Sequence, residues 1–209
     1  MNRNGIGWRR LRRNIGRADG IICLTHHGRS RLLDHYPEFD LRRLAVLPHG
    51  VAHAQFRPQD PEDAALVALR HGLQLPFLLQ LGSWFPHKNL ELSIRAFALS
   101  KARAEGFHLV FAGGGATREY RVFLETVASR LGVAEMIAWI EHVPQQDVAP
   151  LLAAASCLLQ PSRYEGFALP LLEAMAVGTP GVVSGSSCLP EVSGGIWPAA
   201  GEDDAESFA

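Results

Sequence analysis

Short apolar runs alternate along the chain with longer stretches in which apolar residues recur every three or four positions. The short runs are apolar at successive positions, as strands are when both faces of a parallel sheet are buried, and they predict strands at 20–25, 44–48, 77–82, 107–113, 138–143, 156–161 and 181–185. The periodic stretches predict helices at 28–35, 62–71, 90–104, 117–131, 146–155 and 169–177. This alternation predicts an α/β, Rossmann-like fold, a parallel sheet with helices on both faces.

One segment interrupts the alternation. Residues 48–63 contain prolines and a glycine and show little periodicity, a composition typical of a linker. We therefore predict that residues 1–50 are the end of an incomplete N-terminal Rossmann-like domain and that 51–63 form an interdomain linker. Residues 64–209 are predicted to be a C-terminal Rossmann-like domain, truncated at its C-terminus.

The composition is that of an ordinary soluble globular protein, with 47% hydrophobic residues, 20% charged residues and a formal net charge of −1. This balance gives no reason to expect nucleic acid as a partner. Arginine is concentrated in residues 1–17, where Trp8, Leu11 and Ile15 recur at helical spacing. Such a helix either lies on a membrane surface or is a solvated helix with a few core contacts, and the second interpretation is favoured.

Neither targeting nor metal chemistry is indicated by the remaining sequence. The basic start is not followed by a long apolar run, so we expect a cytoplasmic protein, with peripheral contact at the inner membrane face as its alternative location. The three cysteines are far apart, and the nine histidines form no cluster with metal-ligand spacing. We expect no metal at the site.

Two glutamates flank the start of a helix in PSRYEGFALPLLEAMAVGTP, residues 161–180. Pro170 suits the first turn and Gly178 suits the end, so the helix is predicted over 169–177. Glu165 lies in the loop before it, and Glu173 is expected in its first turn. Helix-start N–H groups suit a phosphate and the carboxylates suit sugar hydroxyls, so a sugar diphosphate would satisfy both. Alternatively, Glu173 only complements the helix dipole and Glu165 is a surface residue.

A second candidate segment is LGSWFPHKNLELSIRAF, residues 81–97. His87 and Lys88 precede Asn89, which we expect to cap the next helix with its side chain. A lysine at the positive end of a helix dipole is unfavourable unless an anion binds there; the alternative is a lysine directed into solvent. Both helix starts follow parallel strands and so lie at the same edge of the sheet. The glycines of VFAGGG, 110–115, lack the GxGxxG order and predict a tight strand-to-helix turn.

With these segments in place, nearly the whole chain resembles the carboxyl-terminal half of a group 1 (family 4) glycosyltransferase of the two-domain GT-B fold. PSRYEGFALPLLEAMAVGTPGVVS resembles the E-x7-E region, LLQLGSWFPHKNLELSIRAFA the donor-phosphate segment, and LAVLPHGVAHAQFRP the interdomain segment. The resemblance implies transfer, with retention of configuration, of a mannose- or glucose-type hexosyl group from a nucleotide-sugar to a glycan or lipid-linked acceptor. It implies no metal and no cofactor. The PHKN loop resembles the mannosyltransferase and O-antigen subset, so GDP-mannose is favoured over UDP- and ADP-sugars.

The resemblance also implies roles for particular residues. Lys88 would contact the donor diphosphate, Glu165 the hydroxyls of the donor sugar, and Glu173 the ribose hydroxyls; Lys88 and Glu165 are the expected catalytic residues. The remaining predicted contacts are largely backbone groups, with the base near Val143. The complete predicted donor site is Gly82, Ser83, His87, Lys88, Val143, Glu165, Gly166, Phe167, Ala168, Leu169 and Glu173.

Some features depart from the family pattern. Ser83 and His87 occupy a region where many relatives carry an arginine, and Ala168 stands where glycine is usual. The family's first domain supplies the acceptor pocket, and we expect this missing N-terminal domain to be a required partner for transfer. Two alternatives are a remnant that binds nucleotide-sugar without turnover and a GT-B enzyme that hydrolyses or epimerises a nucleotide-sugar.

Overall fold

The computed structural model describes residues 6–201 and 203–209, with side chains from Arg10 onward. The arginine-rich segment 1–17, with its two alternative interpretations, therefore lies partly outside the described residues, and so does the Trp8 side chain. The chain divides into two compact units, Met1–His49 and Gly50–Ala209. Within the described part of the chain, no helix has the length and apolarity needed to cross a bilayer.

The first unit is a short β–α–β element preceded by a helix. Its elements are α1 (Ile6–Arg17), β1 (Ile21–Cys23), α2 (His26–His35) and β2 (Leu44–Val46). The two strands pair in parallel, with Ile21 opposite Leu44. Helix α2 begins two residues earlier than predicted because Thr25 caps it, its hydroxyl accepting a hydrogen bond from the Gly28 N–H at 2.9 Å.

The second unit alternates strands and helices as the apolar pattern predicted. In chain order its elements are α3 (Pro61–Arg70), β3 (Phe77–Ser83), α4 (Leu90–Leu99), α5 (Lys101–Ala104), β4 (His108–Gly114), α6 (Arg118–Arg130), β5 (Ile137–Ile140), α7 (Gln145–Ala154), β6 (Cys157–Gln160), α8 (Leu169–Val177), β7 (Gly181–Ser184), α9 (Leu189–Val192), β8 (Ala199–Ala200) and α10 (Ala205–Phe208).

The strands of this unit form one parallel sheet in the order β5-β4-β3-β6-β7-β8. A buried core lies on each face. One contains Phe77, with α3, α7 and α8 packed together, and the other contains Phe111, with α4 packed on α6. The predicted Rossmann-like fold is confirmed. The strand order reverses between β3 and β6, which is where open parallel sheets bind ligands.

Three features differ from the predicted elements. The helix predicted over 90–104 is two helices, because Ser100 has an extended backbone and its hydroxyl caps α5. Strand β8 and the short helices α9 and α10 were not predicted, since such short segments show no period. The segment predicted as a linker includes the start of α3 and packs on the second unit through buried Phe56 and through Gln55, which donates to the Gln145 carbonyl at 2.8 Å.

Two glycines bring the ends of β3 and β4 close together. Gly82 and Gly113 are register partners, and both have a positive φ, 131° and 146°. A Cβ on Gly113 would lie 1.8 Å from the Gly82 carbonyl oxygen, which is backbone and has little freedom to move. Only glycine fits at 113, where it lets the backbones of β3 and β4 approach closely at the edge of the sheet that carries the candidate site. The turn predicted from VFAGGG begins later than expected, at Gly115 with φ 87°, because Gly113 and Gly114 still belong to β4.

Candidate functional site

Two loops leave the sheet where the strand order reverses. One follows β3 and carries Lys88, and the other follows β6 and carries Glu165. Strands β3 and β6 are hydrogen-bonded neighbours, although β4 and β5 separate them along the chain. The sheet topology therefore brings the two predicted catalytic residues to the same place.

The loop after β3 is fixed by hydrogen bonds from a buried glutamine of that strand. The Gln80 side-chain amide donates to the Lys88 carbonyl at 2.8 Å, and its oxygen accepts from the Ser93 hydroxyl at 2.8 Å. Asn89 occupies the N-cap position of α4, but the prediction that its side chain caps the helix was wrong. Its backbone is left-handed, with φ 57°, and its side-chain amide instead donates to the Pro161 carbonyl of the second loop at 3.3 Å.

Glu165 and Lys88 form an ion pair. The lysine Nζ lies 2.6 Å from Oε1 of Glu165, and only 8% of the glutamate and 18% of the lysine side chain are exposed. The same oxygen accepts hydrogen bonds from the Gln160 amide at 2.8 Å and the Ser162 hydroxyl at 2.8 Å. The carboxylate is thus buried, charge-paired and fixed by neutral donors from its own loop and strand.

The backbone of Glu165 is fixed from a third direction. Its N–H donates to the Ser187 hydroxyl at 3.1 Å, and that hydroxyl donates back to the Glu165 carbonyl at 2.9 Å. Ser187 follows β7 and adopts φ 59°, a left-handed conformation that is uncommon for a residue other than glycine. Cys188 also donates its thiol to the same carbonyl, at 3.4 Å. The segment after β7 therefore helps to fix the backbone of Glu165.

Helix α8 begins directly after this loop and ends at Gly178, whose φ is 91°, so the predicted span 169–177 is confirmed. Its N-cap residue is Ala168, with φ 71° and no side-chain capping bond. Phe167 and Ala168 are buried, whereas Gly166 and Leu169 are exposed. A helix start without a capping side chain can accept an anion at its backbone N–H groups.

The predicted place of Glu173 needs a correction. Glu173 is the fifth residue of α8 and lies in its second turn, because the helix starts at Leu169 and its first turn contains no acidic residue. Its side chain is half-buried, and desolvation by burial raises the pKa of its carboxyl group above the usual range. A dipole-complementing role in the first turn is therefore not available to it.

The other predicted site residues lie around this centre. Gly82 and Ser83 end β3. The exposed His87 ring stacks on Phe85, with 6.0 Å between centroids. Val143 follows β5 and packs on the core that contains α7 and α8. The structure brings the residues of the loops after β3 and β6 together, and it places Val143 two strands further along the same edge.

Sequence reasoning missed a cavity of about 520 Å³ at this edge. It lies beside the ends of β4 and β5, and its lining includes Trp84, Gly115, Arg121 and Glu141. The Arg121 guanidinium lies over the Trp139 ring, 3.8 Å from its centroid, and its Nε donates a hydrogen bond to Glu125 at 2.8 Å. Neither Lys88 nor Glu165 lines it.

Metal ligation has no counterpart in the part of the chain that the structure describes. Across residues 6–201 and 203–209, no group of three or more His, Cys, Asp or Glu residues is arranged to hold a metal ion. The cation that lies against Glu165 is Lys88.

Comparison with known proteins decides the family. The family described as "Glycosyl transferases group 1" matches residues 65–194, which is more than half of the chain. The chain belongs to the group 1 glycosyltransferases. The family resemblance recognised in the sequence is confirmed, and the matched range contains Lys88, Glu165 and Glu173.

Individual relatives agree with this assignment. The chain is 28% identical over 207 residues to O-antigen chain mannosyltransferase B of Escherichia coli, covering 95% of this chain and 52% of that protein. It is 31% identical over 202 residues to a GDP-mannose-dependent alpha-(1-6)-phosphatidylinositol monomannoside mannosyltransferase of Mycolicibacterium smegmatis, covering 89% and 51%. The chain thus spans about half the length of these curated relatives.

A solved structure shows the same fold. The Anabaena protein HepE, in complex with UDP and glucose, superimposes with a TM-score of 0.84 at 18% sequence identity, covering 96% of this chain and 55% of that one. At this level of identity the likeness shows the fold and does not transfer a ligand. Both the family and the architecture of this group 1 glycosyltransferase are therefore confirmed.

Proposed function

We propose that this chain provides the donor site of a retaining hexosyltransferase, which transfers a mannose- or glucose-type sugar from a nucleotide-sugar to a glycan or lipid-linked acceptor. The observation that carries the proposal is the buried ion pair of Lys88 and Glu165 at the point where the strand order reverses. A cation and an acceptor of sugar hydroxyls meet there beside the start of α8, the combination that a sugar diphosphate requires.

Lys88 is the residue for the diphosphate. When the bond between sugar and phosphate breaks, negative charge develops on the leaving nucleoside diphosphate, and a cation and N–H donors already in place stabilise it. Lys88 supplies the cation, and the backbone N–H groups of Phe167, Ala168 and Leu169 at the start of α8 supply the donors. Gly82, Ser83 and His87 lie in the same segment as Lys88, and we place them against the phosphates.

Glu165 is the residue for the donor sugar. Its Oε1 already accepts three hydrogen bonds, and its backbone is fixed to Ser187. A carboxylate held in this way suits the binding of sugar hydroxyls better than nucleophilic attack, so we assign no protein nucleophile. The acceptor attacks from the face that the phosphate leaves, and a phosphate oxygen takes its proton, which gives retention without a covalent intermediate.

Glu173 and Val143 complete the donor site. Glu173 would accept hydrogen bonds from the ribose hydroxyls, and the backbone near Val143 would contact the base. GDP-mannose is the favoured donor, since one of the relatives is named as GDP-mannose-dependent. UDP-sugars are the main alternative, because HepE was solved with UDP and glucose. The reaction as proposed needs no metal and no cofactor.

The acceptor side belongs to the rest of the enzyme. We propose that residues 1–50 are the end of the N-terminal domain, that 51–63 connect it to the donor domain of residues 64–209, and that transfer requires both domains. A glycan or lipid-linked acceptor is consistent with cytoplasmic action, with peripheral contact at the inner membrane face where the acceptor is lipid-linked.

A thermal-shift panel tests the donor site directly. The chain is melted with GDP, UDP, ADP and their sugars, without added metal. A bound ligand at about 100 times its Kd should stabilise by roughly 2.7 kcal/mol. For a chain of this size that corresponds to roughly 5–10 °C. A shift with one base only would identify the nucleotide, whereas a cooperative melt with no shift for any nucleotide would contradict the proposal.

Three variants separate the proposed roles. Lys88→Ala and Glu173→Ala should each weaken binding of the nucleoside diphosphate, the first through phosphate and the second through ribose. Glu165→Ala should weaken binding of the nucleotide-sugar and leave the nucleotide alone unaffected. Equal loss of both ligands in Glu165→Ala would refute its role as a sugar ligand. The anomeric configuration of the product, read by NMR with the full-length enzyme, tests retention.

A further inference from the structure

The donors around Glu165 are distributed unevenly between its two carboxylate oxygens. Lys88 Nζ at 2.6 Å, Gln160 Nε2 at 2.8 Å and Ser162 Oγ at 2.8 Å all lie on Oε1. Three donors on one oxygen exhaust its capacity to accept hydrogen bonds. Any hydroxyl group of a ligand therefore has to use the other oxygen, Oε2, and its direction is set by the donors that fix Oε1.

Gln160 is a polar residue at a buried strand position, where apolar residues are usual. It ends β6, is only 2% exposed, and follows the apolar run Cys157–Leu159. Among the described residues its own Oε1 has no hydrogen-bond partner, a condition that costs stability in a protein interior. Its Nε2 donates to Glu165 and, at 3.1 Å, to the Ser162 hydroxyl. The contacts of its amide group are thus directed at the Glu165 carboxylate.

The orientation of this amide follows from its partner. An ionised carboxylate only accepts hydrogen bonds, so the NH₂ end of Gln160 must face Glu165, and the carbonyl end must face the interior. The direction of the Ser162 hydroxyl is fixed in the same way, since it accepts a hydrogen bond from Gln160 and donates one to Glu165. Gln160, Ser162 and Glu165 form a directed chain that ends on Oε1.

We infer that Gln160 and Ser162 are positioning residues that keep Glu165 oriented for the donor sugar when Lys88 is engaged by the diphosphate. This inference rests on the proposed function. If Lys88 swings toward phosphate, Glu165 loses its charged partner while it remains buried, which is unfavourable unless other donors remain. Gln160 and Ser162 are those donors. They hold Oε1 in place and leave Oε2 directed at the sugar hydroxyls.

The test compares two ligands on the same variants by titration calorimetry. GDP and GDP-mannose are the probes, replaced by the pair that the thermal-shift panel selects. Gln160→Leu and Ser162→Ala should each weaken binding of the nucleotide-sugar about tenfold, as expected for a lost hydrogen bond to a charged group. Binding of the nucleotide alone should stay unchanged, so the affinity ratio of the two ligands falls.

Thr179→Val is the matched control. It removes a buried hydrogen bond, from the Thr179 hydroxyl to the Leu152 carbonyl at 2.6 Å, away from the site. It should lower the melting temperature without changing the affinity ratio. If Gln160→Leu and Ser162→Ala behave like this control, or weaken both ligands equally, the two residues are only structural and the inference is overturned.

A second readout separates this inference from the donor-site proposal. Failure of the wild-type chain to bind any nucleotide would contradict the proposed function. The orientation of the Glu165 carboxylate could still be examined directly by crystallography. In a crystal structure of Lys88→Met, which removes the charged partner, Gln160 and Ser162 should still hold Oε1 of Glu165 in its present position. A carboxylate that turns away from Gln160 and Ser162 in this variant would overturn the positioning role, whatever the ligand.

Discussion

Lys88→Met is the substitution that tests most directly whether the ion pair is formed and desolvated. Methionine keeps the length of the side chain and removes the charge, leaving Glu165 buried with only neutral donors. Breaking a buried ion pair by removing one partner costs about 3–5 kcal/mol. Two features reduce that cost here: the lysine side chain is 18% exposed, and Gln160 and Ser162 still donate to the carboxylate. We expect a loss of about 2–3 kcal/mol in the free energy of unfolding.

The opposite substitution should cost less. Glu165→Gln leaves Lys88 without its partner, but the long lysine side chain can move its charge into water, whereas the 8% exposed glutamate cannot. We expect a loss of about 1 kcal/mol. The double variant should lose less than the sum of the two single variants, by about 1–2 kcal/mol, because residues in direct contact are coupled.

Urea unfolding followed by tryptophan fluorescence measures these differences, since Trp84 and Trp139 are core residues of the second unit. The control is Lys101→Met, an exposed lysine on which a surface substitution should change stability by no more than about 0.5 kcal/mol. The reasoning is refuted if Lys88→Met costs as little as this control, or if the losses in the double variant simply add.

Three further substitutions test the backbone and the electrostatics of the site. Gly113→Ala should lower the free energy of unfolding by about 3 kcal/mol or more, because its Cβ would meet the Gly82 carbonyl. The control Gly106→Ala, where φ is also positive but the space is open, should lower it by about 1 kcal/mol. Similar losses for the two variants in urea unfolding would contradict this. Ala168→Gly should stabilise the chain by up to about 1 kcal/mol by removing the strain at φ 71°, and a lower melting temperature would contradict it. Burial raises the pKa of Glu173, so its contribution to stability is full below the unfolded-state pKa and is lost as pH rises through the folded-state pKa. Glu173→Gln should therefore gain melting temperature relative to wild type as the pH rises above about 4.3, the ordinary pKa of a glutamate, and a difference that stays constant with pH would refute the raised pKa of Glu173.

The architecture was predictable because its strands are buried on both faces. Apolar runs such as FLLQLG marked β3, and the Pro170 and Gly178 signals fixed α8 at 169–177. Elements without a full period were not predictable: β8 has two residues and α9 has four. The break at Ser100 was missed for a different reason, since the residues that follow it, Lys101–Ala104, are all good helix formers and only the serine itself signals a new helix start.

The site was predictable as a set of loops but not as a set of contacts. Lys88 and Glu165 were placed at one edge of the sheet because both follow parallel strands. Their ion pair joins residues 77 positions apart, and the clamp from Ser187 reaches back 22 positions to Glu165. Such pairings depend on which strands are neighbours, and local patterns carry no information about strand order. The place of Glu173 was wrong although the span 169–177 was right, because the fifth residue of a helix with about 3.6 residues per turn lies in its second turn.

A stronger signal was present in the strands themselves. Gln80 and Gln160 stand inside or at the end of apolar runs, in the two strands between which the sheet order reverses. Because both faces of the sheet are covered, an amide side chain there is buried whichever face it points to. It has to find hydrogen-bond partners or it destabilises the fold. Gln80 finds the backbone of Lys88, and Gln160 finds the carboxylate of Glu165. A buried amide inside or at the end of an apolar strand therefore directs attention to the loop that follows that strand, and in this chain the two loops carry the two residues proposed to be catalytic, Lys88 and Glu165.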